Sequence, residues 1–127
     1  MYLNGDKRDG DVVCVRNSRS EAWLGRRVVL AVRLGSRLKG LLGSTGLADG
    51  EGLWLEPCSS IHMFFMRFPI DVVFVDRYAV VVRLVENVAP WRMAAGGRRA
   101  RAALELPTGA IARSDTRVGD RLHIGPV

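Results

Sequence analysis

The feature that most constrains this chain is a series of short runs rich in valine, leucine and isoleucine, separated by segments that contain Gly, Pro, Asn, Asp or Ser. The runs lie at residues 12–15, 27–33, 53–55, 71–75, 80–85, 103–106 and 122–124. β-Branched residues favour strands, and short strands with turn signals every 8 to 12 residues or so, about the spacing seen here, are typical of all-β domains. The sequence therefore predicts a mainly β fold, a small barrel or sandwich of short strands.

Periodicity within the runs predicts which faces are buried. In the 27–33 strand, Val28, Leu30 and Val32 share the face expected to be buried, because successive side chains of a strand alternate between its two faces. The 71–75 and 80–85 runs are almost entirely apolar, which predicts strands covered on both faces. Residues 88–97 are predicted to form a surface loop.

One short helix is predicted near residues 36–43. Ser36 is placed to cap it, and Leu38, Leu41 and Leu42 follow at the spacing of one helical face. A glycine inside this segment costs about 1 kcal/mol relative to alanine, so the helix depends on the packing of its leucines.

The length of 127 residues is that of one domain. Residues 1–20 are predicted to be a flexible lead-in and the first strand, and residues 21–127 a single β domain. No apolar stretch reaches the roughly 18 to 20 residues that span a bilayer, and the N-terminal segment lacks the apolar core of a signal peptide. We expect a cytoplasmic protein with Cys14 and Cys58 as free thiols, because disulfides are rare in reducing compartments.

The chain is basic, with a net charge of +6 and a sequence pI of about 10.3. Only Lys7 and Lys39 are lysines, and valine greatly outnumbers isoleucine. A preference for Arg over Lys and for Val over Ile arises in GC-rich genomes. The charge therefore bears on solubility and non-specific association, and it does not by itself indicate a partner.

The most reactive side chains are concentrated in the segment PCSSIHMFFMRFPID at residues 57–71. Together with RLKGLLG at 37–43, LELP at 104–107 and VGD at 118–120, this segment resembles domain-of-unknown-function family 192 over residues 28–124. The resemblance implies a small, mostly β domain and no established reaction.

The resemblance also ranks the residues of this segment. The methionine, proline and aspartate at the positions of Met66, Pro69 and Asp71 recur most widely in the family. Cysteine and histidine matching Cys58 and His62 occur in only part of it, which argues against a Cys-His mechanism shared by the whole family. A separate departure lies in the predicted 76–79 turn, where Ala79 replaces the usual glycine; alanine is unfavourable there if the turn needs a positive φ.

Cys58 and His62 suggest a nucleophile and its base, but only if the backbone turns at residues 59–60. On a straight strand, residues four apart are separated by about 13 Å, far beyond the contact that activates a thiol. The alternative, which the sequence favours, is that Cys58 is a small buried hydrophobe. Whether the protein is an enzyme stays open at this stage.

The spacing of Cys58, His62 and Met66 resembles the copper loop of blue-copper proteins. Such sites need a second histidine, and the sequence offers only His123, far downstream. A four-ligand zinc site cannot be assembled convincingly either. The sequence therefore favours no metal site and no cofactor, and a metal site that uses Cys58, His62 and Met66 stays an alternative.

The favoured hypothesis is a ligand-binding or accessory module whose pocket lies near His62, Met66 and Asp71, with Cys58 adjacent. A face that mixes Cys, His, Phe and Met has the composition of a small-ligand site, although the same residues can simply fill the core. A structural role is favoured for Asp71, through backbone N–H groups after Pro69 or through Arg67. The alternative is an acid or base beside His62.

A second candidate surface is the basic segment that contains Arg92, Arg98, Arg99 and Arg101, next to Trp91. It could bind phosphate or a single-stranded nucleic acid through charge and stacking. Since no nucleic-acid motif accompanies it, a solvated basic loop is favoured. The expected partner is thus an unknown small molecule, without nucleic acid or membrane, and the chain is expected to be a monomer or, through its edge strands, a homodimer.

Overall fold

The computed structural model describes residues 8–32, 46–63 and 66–127, and it confirms the mainly β prediction. The strands are β1 (Val12–Asn17), β2 (Trp23–Ala31), β3 (Glu51–Leu55), β4 (Ser60–His62), β5 (Ile70–Val75), β6 (Val81–Val88), β7 (Met93–Ala95), β8 (Ala102–Leu106) and β9 (Leu122–Pro126), and a helix, α1, spans Ala110–Arg113. The helix predicted near 36–43 lies outside the described residues. Among the described residues, no helix has the length and apolar character needed to cross a bilayer.

Seven strands form one curled sheet in the order β6-β5-β8-β3-β2-β1-β9. All neighbours in it are antiparallel except β2 and β3, which are parallel. Its two edges meet where Val80 pairs with Arg121 and the Val81 N–H donates to the Asp120 carbonyl at 2.8 Å. The sheet is therefore a partly closed barrel, with a seam between the start of β6 and the start of β9.

Alternate residues of the strands fill the inside of the barrel. Val13 and Val15 of β1 and Val28 and Leu30 of β2 are at most 1% exposed and belong to this interior cluster. Val32 packs against the same cluster and is partly buried. The predicted buried face of the second strand is thus confirmed, because the pleat sends every other side chain inward.

A second cluster covers the outer face of β5. Strands β4 and β7 pair as a two-stranded ribbon, and Ile61 and Ala94 from the ribbon pack with Ile70, Val72 and Phe74. Every residue of β5 is buried, as predicted. The same prediction is wrong for β6, which has exposed positions because the ribbon does not cover its whole outer face.

Strand β7 and helix α1 were not predicted. Strand β7 lies inside the expected 88–97 loop, and it forms because residues more than 30 positions earlier, in β4, pair with it. Helix α1 has four residues, too few to produce a helical period in the sequence. Both depend on contacts between distant segments.

The hairpin between β5 and β6 turns at residues 76–79, as predicted. Ala79 has a φ of 61°, so the family's glycine would be the less strained residue here. The Asp76 carboxylate stabilises the turn by accepting the N–H groups of Tyr78 at 2.8 Å and Val80 at 3.0 Å.

Asp71 is the buried charge that ties β5 to its surroundings. Its carboxylate accepts the N–H of Asn87 at 3.0 Å and those of Gly109 and Ile111 at 3.1 Å each, and the residue is 0% exposed. The donors therefore come from β6 and from the start of α1, rather than from the turn after Pro69. Three N–H bonds compensate for the burial of the carboxylate.

We expect Asp71→Ala to lower the free energy of unfolding by about 3 kcal/mol, since it removes the shared acceptor of three N–H groups, one buried and two partly buried, from a fully buried position. Urea unfolding followed by circular dichroism measures the loss. Asp76→Ala is the matched control; it also removes a carboxylate that accepts N–H groups, but in a turn that water reaches, so its loss should be about 1 kcal/mol. Equal losses in the two variants would contradict this account of Asp71.

A buried polar network joins the β1–β2 turn to the segment before β9. The Asp120 carboxylate accepts from the Asn17 amide at 2.9 Å, from Arg19 Nε at 2.8 Å and from the Arg117 N–H at 2.8 Å. The Asn17 amide also donates to the Thr116 hydroxyl at 3.2 Å. The hydrogen bond from Arg19 is the main cause that lowers the pKa of Asp120 to about 2.

This lowered pKa predicts a specific acid sensitivity. The charged form of Asp120 contributes stability that is complete above its ordinary pKa of 3.8 and is lost as the pH falls towards about 2. Asp120→Asn should be less stable than the native protein at pH 7 and should lose less free energy of unfolding between about pH 4 and pH 2. Urea titrations across this range test it; parallel pH profiles for the two proteins would show that Asp120 is not the titrating group.

Candidate functional site

Two of the predicted ligand residues, Cys58 and His62, lie at or near the two ends of β4. Cys58 follows a cis Glu56–Pro57 peptide bond and is half-buried. Its N–H donates to the Arg101 carbonyl at 2.7 Å, and its Sγ donates to the Ser60 carbonyl at 3.1 Å. His62 ends β4 and is exposed. The chain thus leaves Cys58 through a bend and enters a short strand.

The other two predicted residues are buried on opposite sides of β5. Met66, which precedes the strand, is 7% exposed and packs in the outer cluster with Ile70 and Val72. Asp71 is the second residue of β5; it alternates with Ile70, lies on the side of Val73 and binds the start of α1. That Cys58, His62, Met66 and Asp71 bind a ligand stays a prediction.

The metal alternatives depended on a second histidine. His123 lies on β9, at the opposite edge of the sheet order from β6, where it pairs with Arg16. Within the described residues, no group of three or more His, Cys, Asp or Glu side chains could hold a metal ion. The described geometry therefore supplies no additional ligand to the Cys58–Met66 segment.

One titratable residue was not among the predicted site residues. Leu104 and Leu106 of β8 point into the barrel, so Glu105 points to the outer face, between its paired neighbours Leu53 and Val72. Glu105 is 6% exposed, and burial raises its pKa to about 7. A carboxyl group with this pKa gains or loses its proton near neutral pH, as general acids and bases do.

The sequence carried a signal for Glu105. It is the one acidic residue in an otherwise apolar β8, and a period of two places it on the side of Ala103. Ala103 belongs to the outer cluster, against which Cys58 also packs. Only the folded chain shows that the outer face of β8 is covered. This burial is what raises the pKa of the Glu105 carboxyl.

Two open concavities lie at the other candidate, the arginines. Two adjoining grooves of about 490 and 480 Å³ share Asp76, Arg98 and Arg99. We call the two together the arginine groove. The remaining lining residues are Arg77, Tyr78, Ala100 and Arg101 in the first groove, and Val80, Val81, Val82, Gly96, Val118 and Gly119 in the second.

A tight turn presents Arg98 and Arg99 to this groove. The Ala100 N–H donates to the Gly97 carbonyl at 3.2 Å, which leaves both arginines at the tip of the turn, exposed. Gly97 has a φ of 89°, a conformation natural to glycine. Gly96 lies so close to Phe74 that an added Cβ would be 2.5 Å from the ring, so the base of the turn is packed onto the outer cluster.

The electrostatics of the groove favour an anion. Arg98, Arg99 and Arg101 form no salt bridge with any residue of the described segments. The acid that lines the groove, Asp76, uses Oδ1 to accept two backbone N–H groups of its own turn. The guanidinium of Arg77 lies 4.9 Å from the centre of the Tyr78 ring. Guanidinium groups bind phosphate and carboxylate in bidentate pairs, so this arrangement suits a phosphate-bearing ligand.

The structure divides the predicted arginine set. Arg98, Arg99 and Arg101 line the groove, whereas Arg92 does not. Arg92 belongs to the turn before β7, where its carbonyl accepts the Met63 N–H at 2.7 Å. Arg77 enters the set instead, since the hairpin turn that carries it lies next to the 97–100 turn.

Comparison with known proteins identifies the family. The sequence profile of domain-of-unknown-function family 192, described as an uncharacterized ACR, matches residues 15–124. The chain belongs to this family. A UPF0127 protein of Thermococcus sibiricus is 31% identical over 113 residues, covering 85% of this chain and 71% of that protein. A UPF0127 protein of Pyrococcus furiosus is 41% identical over 65 residues, covering 51% of this chain and 55% of that protein.

Two solved structures share the fold of this family member. A candidate transcription regulator from Sinorhizobium meliloti 1021 superposes with a TM-score of 0.81 at 22% identity, covering 93% of this chain and 97% of the other. A protein of unknown function from Novosphingobium aromaticivorans gives a TM-score of 0.74 at 25% identity, covering 88% and 83%. The family resemblance of the sequence and the β fold it implied are thus confirmed.

The raised pKa of Glu105 makes a prediction about stability. Between its ordinary pKa of 4.5 and the folded value of about 7, the folded protein holds a proton that the unfolded chain releases, so stability falls as the pH rises. Glu105→Gln should remove this fall and be more stable than the native protein by about 3 kcal/mol at pH 8, with little difference at pH 4. Urea unfolding at several pH values measures it.

Glu86→Gln is the control, since Glu86 is exposed on β6 and the substitution should leave the pH profile unchanged. A native protein whose stability stays constant between pH 4.5 and pH 7 would show that Glu105 is not held protonated.

Proposed function

We propose that this protein binds a phosphate-bearing anion in the arginine groove. The observation that carries the proposal is the meeting of Arg98, Arg99 and Arg101 in an open concavity, with no salt bridge to a described residue. Like charges gathered at one groove repel each other, and a bound anion relieves that repulsion.

The shape of the groove supports a bound ligand more than a simple charged surface. The 97–100 turn is packed onto Phe74 through Gly96, and the neighbouring hairpin turn is tied by Asp76. Both turns therefore hold their arginines on a rigid base. Preorganised donors lose less conformational entropy on binding than donors on a mobile loop.

We expect inorganic pyrophosphate to bind the native protein at low ionic strength, and Arg98→Ala/Arg99→Ala to weaken that binding about tenfold or more, because each charge-assisted contact contributes about 1.5 to 3 kcal/mol. Isothermal titration calorimetry measures both. The matched control is Arg67→Ala/Arg92→Ala, which removes the same charge from two exposed arginines that do not line the groove. Equal weakening in both double variants would mean that net charge, and not a site, attracts the anion.

We also infer a cytoplasmic location. Its support is that Cys14 and Cys58 are both free thiols, each half-buried, as expected in a reducing compartment. Cell fractionation with an antibody to the native protein tests this location; recovery with secreted or periplasmic proteins would contradict it.

A further inference from the structure

A second basic surface lies on the outside of β2, β1 and β9. Trp23 is 41% exposed, and the guanidinium groups of Arg26 and Arg16 lie 4.8 Å and 5.9 Å from the centre of its ring. Arg16 pairs with Trp23 on one side and with His123 on the other. The register thus places an indole, a guanidinium and an imidazole in one row across three strands.

The row can be followed to the arginine groove. Two residues before His123 on the same face is Arg121, which is exposed and pairs with Val80 at the seam of the barrel. Val80 lines the groove, together with Val118 and Gly119 of the turn before β9. With strands about 4.8 Å apart and residues about 3.3 Å apart along a strand, the path from Trp23 to Val80 is roughly 20 Å long.

The charged side chains of the row itself are three arginines. Arg16, Arg26 and Arg121 are outward-facing, and none of them forms a salt bridge with a residue of the described segments. Asp120 points inward and is held by Arg19 and Asn17. Glu21 is exposed two residues before Trp23, Asp115 is paired with Arg19 and Arg117, and Asp76 lines the groove, where its Oδ1 accepts two backbone N–H groups.

We propose that the Trp23 row and the arginine groove form one continuous track for a single-stranded nucleic acid. This inference rests on the proposed phosphate site and names the class of its ligand. Single-stranded nucleic acids bind to basic tracks in which aromatic side chains and guanidinium planes stack with unpaired bases. Trp23 with Arg26 provides the stacking platform, and Arg16, Arg121 and the groove arginines face the phosphates.

The length of the track sets the size of the ligand. A path of roughly 20 Å plus the groove suits about four nucleotides, the low end of the site sizes found for small β barrels that bind single strands. A mononucleotide or pyrophosphate reaches only one end of it. A duplex keeps its bases stacked inside and offers Trp23 nothing to stack on.

The test uses fluorescence anisotropy with labelled oligo-dT and oligo-U of roughly 2 to 12 nucleotides at low ionic strength. Affinity should rise with length to about four nucleotides and then level off, and should exceed that for a duplex of the same length. The plot of log affinity against log salt should have a slope of about −2 to −3, which corresponds to three or four neutralised phosphates. The two oligomer series show whether the track prefers DNA or RNA.

Trp23→Ala should weaken binding of the longer oligonucleotides about tenfold and leave pyrophosphate binding unchanged. Trp23→Phe should recover most of the affinity, and both variants are checked for folding by circular dichroism. Trp91→Ala is the matched control; Trp91 is 58% exposed, but it lies in the turn before β7 and does not line the groove. The double substitution Arg98→Ala/Arg99→Ala should weaken the binding of both pyrophosphate and the oligonucleotides.

Two results would overturn the track while leaving the phosphate site intact: unchanged oligonucleotide affinity in Trp23→Ala, or a duplex that binds as tightly as a single strand. Pyrophosphate that binds independently of Arg98 and Arg99 would instead overturn the phosphate site and the track together.

Discussion

Burial of β5 on both faces is the constraint on which the rest of this structure depends. One face of the strand completes the interior of the barrel, and the other carries Ile70, Val72 and Phe74 into the cluster under the ribbon. A strand of this kind needs a cover on each side. The interior of the curled sheet covers one face, and the β4–β7 ribbon covers the other.

The sheet buries two acidic residues, Asp71 and Glu105, in different surroundings. A carboxylate in a fully buried strand is costly, and here it is stabilised by three backbone N–H groups from β6 and the start of α1. Glu105, one strand away, lies among apolar neighbours on the outer face, and its pKa is raised to about 7. Both acids are buried, and their surroundings differ. Asp71 has three N–H donors and joins segments of the fold, whereas burial among apolar neighbours raises the pKa of Glu105.

The seam of the barrel shapes the proposed phosphate site. Pairing of Val80 with Arg121 brings the β5–β6 hairpin beside the turn before β9, although these segments are about 40 positions apart. The 97–100 turn, packed on Phe74 through Gly96, completes the concavity. Arg77 of the hairpin thereby lines the same groove as Arg98, Arg99 and Arg101, which follow about 20 positions later.

The amino-acid sequence was sufficient for the class of fold, most strand positions, the hairpin turn at 76–79 and the family, since alternation, turn residues and the 57–71 segment are local signals. The folded chain was needed to show that Met66 packs on the outer side of β5 while Asp71 points to the inner side, that Glu105 is covered, and that Arg77 lines the groove while Arg92 does not. The reason is that coverage and convergence depend on which distant segments pack together. Local periodicity states which residues share a face of a strand, and it cannot state what lies against that face.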